Sequence, residues 1–230
     1  MIPQQKDKKN KLIYIYILLL ILITSINNKN IYNQKIFSNE LNFKITGLSY
    51  ADNQKLIRNL INVNNDNIFK IDEKKVFERI TENNSVLNFY AKKEYPNKID
   101  IIINEATYVG KIYNKDKLLL IGSNGKLIDH HANNVKDLPY FYGDFKREEF
   151  LKLLFVINKT QLDIKNISSF YFFPSERWDI KFKDGLLLKL PNEDLINVLS
   201  EALLLKNNQN FKNSKIIDLR IKNRIISNEW

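Results

Sequence analysis

Residues Ser85–Asn104, SVLNFYAKKEYPNKIDIIIN, decide the fold. Pro96-Asn97 divides them into two strands, Ser85–Tyr95 and Lys98–Asn104. In the second, Ile99, Ile101 and Ile103 alternate with Lys98, Asp100 and Asn104, the period of a sheet with one buried face. Upstream, Phe43-Lys44-Ile45-Thr46-Gly47 alternates like a shorter strand. Between these strands the period lengthens: Asp52 is placed to cap a helix with Leu56, Ile57, Leu60 and Ile61 on one face, and Asp72 to cap a second with Val76, Phe77 and Ile80 as its buried stripe. The order strand, helix, helix, strand, strand predicts an α+β layer, two helices on one face of a three-stranded sheet with the other face open.

Ahead of this unit lies Leu12–Ile26, LIYIYILLLILITSI, with no charged residue. It stands at the short end of the ~17 to 25 residues that a hydrocarbon core asks for. Lys6, Lys8, Lys9 and Lys11 precede it and can snorkel to headgroups, and Tyr14 and Tyr16 fall where an aromatic belt would be. A transmembrane helix is therefore expected at 12–26, with Lys11, Leu12, Tyr14, Tyr16, Leu20 and Ile26 as anchoring residues. The positive-inside bias makes 1–11 a cytoplasmic stub and puts the rest outside, a type II single-pass topology. Asn27, Asn28, Lys29 and Asn30 offer no small-residue cleavage site, so an uncleaved anchor is expected over a signal peptide. Residues 27–42 read as a polar tether.

After Glu105 hairpin signals take over, which places a domain boundary there: 43–106 for the first unit and 107–230 for a β-rich second. Asn124-Gly125 and Asp184-Gly185 each sit between apolar runs and favour type I′ turns. Trp178, Ile180 and Phe182 alternate with Asp179, Lys181 and Lys183. Two helices interrupt the strands, one from about Asp144 carrying Phe150, Leu151, Leu154 and Ile157, the other after Asn192 carrying Leu195, Ile196, Leu199 and Leu203. Ser214–Ile221 and Arg224–Ser227 close the chain as strands.

Chemistry is sparse. The chain has no cysteine, which excludes disulfides and thiolate zinc. The net charge of +10 comes from lysine spread thinly through a sequence also rich in asparagine and isoleucine, as a drift in coding-base composition would leave it, and not from a nucleic-acid footprint. His130 and His131 are neighbours after a strand, and neighbours on a strand point to opposite faces. No phosphate-cradling or nucleophile-elbow glycine motif is present, Glu148-Glu149 reads as a solvated helix face, and Lys92-Lys93-Glu94 as sheet surface. The expectation is no enzyme, no cofactor, no metal and no small-molecule substrate.

Several stretches resemble the FtsQ/DivIB family of bacterial division proteins, whose first external domain is called POTRA. Ile45-Thr46-Gly47 looks like its opening strand, and Lys92–Glu105, KKEYPNKIDIIINE, like its aromatic-Pro stretch before a strand ending in glutamate. Gly122-Ser123-Asn124-Gly125 resembles its D-x-x-G hairpin, Leu138-Pro139-Tyr140-Phe141-Tyr142-Gly143 its LP-x-x-x-G loop, and Ile217-Asp218-Leu219-Arg220 its V-D-L-R strand. The chain departs from the pattern at Gly122 for Asp, at Tyr108 where proline is common, and at Ile221 where an aromatic is common.

The resemblance implies a divisome scaffold of the bacterial inner membrane that links early and late division proteins. It implies FtsB-like and FtsL-like coiled-coil partners, held outside the cytoplasm by a strand added to the terminal strand of the β domain. An edge strand with unpaired donors and acceptors suits that mechanism. Ile216, Asp218 and Arg220 alternate with Ile217, Leu219 and Ile221, so one set can face a partner while Ile217, Leu219, Ile221 and Trp178 are expected in the core. Arg224, Ile226 and Trp230 would continue the surface, and Arg177 beside Trp178 would supply a cation. If Lys215–Ile221 lies at the sheet edge, proline or charge there should abolish binding. The alternative is a POTRA-containing, chaperone-like adaptor for envelope assembly, although no series of lipid-facing strands follows the first unit.

Overall fold

The computed structural model describes residues 5–25, 41–63, 68–129, 137–160 and 162–229. Helix α1 (Gln5–Ser25) carries the apolar run. Its uncharged part, Leu12–Ser25, is ~21 Å long at ~1.5 Å per residue, against a hydrocarbon core of ~30 Å. Among the described residues no helix is long and apolar enough to cross a membrane. Ile26 and residues 27–40 of the expected tether, like His130 and His131, lie outside the described residues.

Strand β1 (Asn42–Thr46), helices α2 (Tyr50–Val63) and α3 (Glu73–Thr81), and strands β2 (Val86–Glu94) and β3 (Lys98–Glu105) form the expected unit. The sheet order is β1-β3-β2, with β1 parallel and β2 antiparallel to β3. Phe43 and Ile45 join Ile99, Ile101 and Ile103 under Leu56, Leu60, Val76 and Ile80 in one buried cluster. Gly47 has φ +111, and a Cβ there would meet the Ile103 carbonyl oxygen at 1.8 Å, so only glycine closes this turn against β3.

Three local expectations need correction. Ser49, not Asp52, caps α2: the Asp52 amide donates to Ser49 Oγ at 3.2 Å and the Ser49 hydroxyl donates to Asp52 Oδ2 at 2.6 Å, a reciprocal pair. Ile61 is 43% exposed because Leu56 and Leu60, one turn apart, already fill the contact with the sheet. Phe77 is 56% exposed at the rim of α3, tilted against Phe89 on β2 at 5.5 Å. Asp72 caps α3 as expected, accepting from the Lys75 amide at 3.2 Å.

The rest of the described chain builds one nine-stranded sheet. Its elements are β4 (Tyr108–Asn114), β5 (Lys117–Gly122), β6 (Leu127–Asp129), β7 (Tyr140–Tyr142), helix α4 (Arg147–Thr160), β8 (Ile167–Phe173), β9 (Arg177–Phe182), β10 (Leu187–Lys189), helix α5 (Leu195–Lys206), β11 (Ser214–Asp218) and β12 (Ile226–Glu229). The spatial order is β12-β11-β10-β9-β8-β7-β4-β5-β6. One cross-strand row, Phe141, Phe170, Ile180, Leu188 and Ile217, lies fully buried with Phe150, Leu153 and Ile157 of α4 and Leu199 and Ala202 of α5. The next row, Tyr142, Tyr171, Asp179, Lys189, Asp218 and Ile226, points to the opposite face.

The hairpins at Asn124-Gly125 and Asp184-Gly185 form, but not with type I′ turns. Only Gly125 (φ +73) and Gly185 (φ +97) have positive φ. Gly125 N–H donates to the Gly122 carbonyl and Gly185 N–H to the Phe182 carbonyl, so each hairpin has the longer loop that ends in one left-handed glycine. The two-residue turn with both central φ values positive is Lys115-Asp116 (φ 45 and 65), between β4 and β5.

Candidate partner interface

Strand β11 is not an edge. It lies between β10, parallel to it, and β12, antiparallel to it, so the expectation that Lys215–Ile221 forms the sheet border is corrected: the border is β12. The Leu219 amide donates to the Lys189 carbonyl at 2.9 Å, which turns the odd-numbered backbone groups of this stretch toward β10. Ile216 and Asp218 therefore direct theirs to β12, opposite Asn228 and Ile226. Ser227, opposite Ile217 and between those two positions, is left with its amide and carbonyl directed outward.

The side chains around this border fall into two sets. Trp178, Ile217 and Leu219 are core, as expected. Ile221, expected to pack inward, is 51% exposed, because β11 ends at Asp218 and Ile221 lies in the connection to β12. Arg224 is also exposed in that connection, and Ile226 on β12 is 52% exposed. Trp230 lies outside the described residues.

Arg177, Asp218, Arg220, Ile221 and Ile226 meet in one open cleft of about 480 Å³, floored by Ser175, Pro191 and Asn192. Asp218 receives Arg220 in a two-pronged pair, Nε to Oδ1 at 2.8 Å and Nη2 to Oδ2 at 2.5 Å, and this holds its carboxyl below the usual range. Asp179 beside it behaves oppositely: burial pushes its carboxyl up, against the pull of Arg177. Arg177 Nε and Asp179 Oδ1 lie 3.8 Å apart, and neither atom has a hydrogen-bond partner. The guanidinium also covers the Phe173 ring at 4.3 Å. Ile216, half-buried on β11, lies opposite Asn228 of β12.

The opposite border of the sheet is covered at Leu127. On β6 the Gly122 amide donates to the Lys126 carbonyl, so Leu127 faces outward, and its carbonyl accepts from the Asn84 side chain at 2.8 Å. Asn124 answers from the β5–β6 turn. Its amide donates to the carbonyls of Asn84 and Val86, each at 2.9 Å, and its oxygen accepts from the Lys126 amide at 3.0 Å. The Lys126 ammonium donates to the Thr81 carbonyl, and Arg147 Nε to the Asn124 carbonyl at 2.8 Å. Nothing in the spacing of Gly122-Ser123-Asn124-Gly125 beyond the turn itself signals this clamp on the α3–β2 loop.

Asn124 is buried, so its replacement leaves two carbonyls without a donor, at a cost of ~1 to 3 kcal/mol. Asn124→Ala should lower the urea midpoint accordingly and speed amide exchange at Ser85–Leu87, while the partner border at β12 keeps its exchange pattern.

Residues 41–106 match the family "POTRA domain, FtsQ-type", and residues 112–220 match "Cell division protein FtsQ/DivIB, C-terminal". The cell division protein DivIB of Bacillus anthracis is 27% identical over 177 residues, covering 75% of this chain and 65% of that protein. The cell division protein FtsQ of Rickettsia bellii is 25% identical over 192 residues, covering 80% and 72%. The major extracytoplasmic domain of DivIB from Geobacillus stearothermophilus is similar at a TM-score of 0.35 and 14% identity, covering 46% of this chain and 96% of that one, too weak a likeness to bear on the fold. The chain thus spans just under two thirds of the length of the Bacillus anthracis protein.

Proposed function

Because the chain belongs to the FtsQ/DivIB family of cell division proteins, we propose that it is a non-enzymatic divisome scaffold that binds partner proteins by adding a strand to β12. The observation that carries this reading is the outward backbone of Ser227 on a border strand flanked by exposed Ile221 and Ile226. A partner strand there would gain main-chain hydrogen bonds, with alternate side chains giving specificity. The occupants proposed are the extracytoplasmic segments of FtsB-like and FtsL-like coiled-coil proteins. Arg177, Asp218, Arg220 and Arg224 would meet the polar groups of the partner strand, and Trp230 would extend the apolar margin. Trp178 serves from within, as the core residue beneath Arg177.

The units proposed are 43–106 for POTRA and 107–230 for the partner-binding domain. The apolar residues of α1 are proposed to anchor the chain in the inner membrane with its N-terminus cytoplasmic. Snorkelling of Lys11 and its neighbours would extend the short rod to the headgroups, and Ile26 would continue it. Two measurements test the proposal. Depletion should block septum formation and recruitment of late division proteins; unchanged septation removes the scaffold role. Copurification from mildly solubilised membranes should yield small coiled-coil proteins, whereas recovery of a membrane β-barrel would favour the adaptor reading.

A further inference from the structure

The face of the nine-stranded sheet away from α4 and α5 carries a row of tyrosines outside the β12 border. Tyr113 on β4, Tyr140 and Tyr142 on β7, and Tyr171 on β8 stack in sequence, with ring centroids 6.0, 6.0 and 5.2 Å apart and planes within 22° of one another. Each ring turns its face to the next. What the row offers to solvent is ring edges, the positive rim of the aromatic quadrupole, together with phenol groups. Tyr113 is 57% and Tyr142 43% exposed. The Ser169 hydroxyl donates to Tyr171 Oη at 3.1 Å, which leaves the Tyr171 proton for another acceptor. Burial among the neighbouring tyrosines pushes the Tyr142 phenol up, so it remains a donor at neutral pH.

The charges beside the row are mostly positive, with Asp179 opposite Tyr171 as a carboxylate among them. Lys111 lies over the Tyr140 ring at 4.3 Å. Lys181 shares the cross-strand row of Tyr140 and Ser169, and Lys189 that of Tyr142, Tyr171 and Asp179. Of the two carboxylates on strands β9 and β11 of this face, Asp218 is met by Arg220, while Asp179 lies 3.8 Å from Arg177 with no hydrogen bond at Oδ1. Lys189 stands opposite both carboxylates, which leaves exposed Lys181 as the cation in excess beside the row.

We propose that this tyrosine row, with Lys181, is a docking surface for an acidic polypeptide segment of a partner protein. Carboxylates would accept from the phenols and ammonium groups while aliphatic stems lie on the ring edges. A glycan or nucleic acid would need open ring faces for stacking, and here neighbouring rings cover them. A second copy of the chain, at +10, is repelled.

The test uses the full chain in detergent micelles and a fluorescein-labelled peptide of Glu-Val repeats, read by anisotropy. Tyr113→Leu with Tyr142→Leu keeps the charge and should weaken binding about tenfold, as truncation of interface tyrosines does. Lys181→Glu, at an exposed position, should weaken it similarly and guards against a folding defect in the tyrosine variant. Lys152→Gln on α4 should change nothing, and the loss in the tyrosine variant should persist in a Ser227→Pro background, which separates this surface from the β12 reading. Equal affinity in all variants, or absence of peptide binding by the unaltered chain, overturns the proposal. So does tyrosine-dependent binding of phosphatidylglycerol vesicles in place of the peptide.

Discussion

Ser227→Pro is expected to abolish capture of the partner while leaving the chain folded. The outward direction of the Ser227 backbone follows from the register of β12 on β11, so the pyrrolidine ring removes a donor that the sheet itself does not use. Proline is tolerated on an edge strand only in this orientation. An incoming strand loses one hydrogen bond and meets the ring, which lowers affinity roughly 10- to 100-fold at ~1.4 kcal/mol per decade. Ile226→Pro and Asn228→Pro serve as contrasts, because their amides face β11 and their loss detaches the border strand. Pull-down from solubilised membranes reads the binding, and the circular dichroism melt reads the fold. Full capture by a folded Ser227→Pro chain would remove strand addition at β12.

Phe141→Ala should cost the most stability of any single truncation, about 3 to 5 kcal/mol for a buried phenylalanine. The Phe141 ring is stacked on Phe170 at 4.6 Å and meets Phe150 edge-on at 5.3 Å and Trp178 at 6.1 Å. It also fixes the backbone beside it: a Cβ on Gly110 would come within 2.2 Å of the ring. The alanine variant should show a lower urea midpoint and a weakened near-ultraviolet signal from Trp178. A midpoint within error of the parent would mean that the aromatic cluster closes over the gap.

The alternation of Ile99, Ile101 and Ile103 located the central strand of the first sheet because burial on one face imposes that period. The same logic identified Trp178, Ile217 and Leu219 as core. Features set by pairing were hidden. Whether β11 is a border depends on β12, a strand expected at Arg224–Ser227 and found at Ile226–Glu229, whose pairing back onto β11 no residue type signals. The Lys115-Asp116 turn lacks glycine, so its left-handed backbone has no residue signal. The β11 alternation, extended past Asp218 where the strand ends, would point Ile221 inward. In the partner interface, the residue types at Arg177 and Asp218 were visible, but not that Arg220 takes Asp218 while Asp179 is left to a distant Arg177.

The two ends of the large sheet differ, and this sets its valency. A sheet with two free borders can grow from both and run on into a filament. Here β6 is three residues long and its outward carbonyl at Leu127 is taken by Asn84, whereas β12 remains open. Among the described residues of this sheet, β12 is then the border open to an added strand. Strand addition by this route therefore caps the sheet at its β12 end.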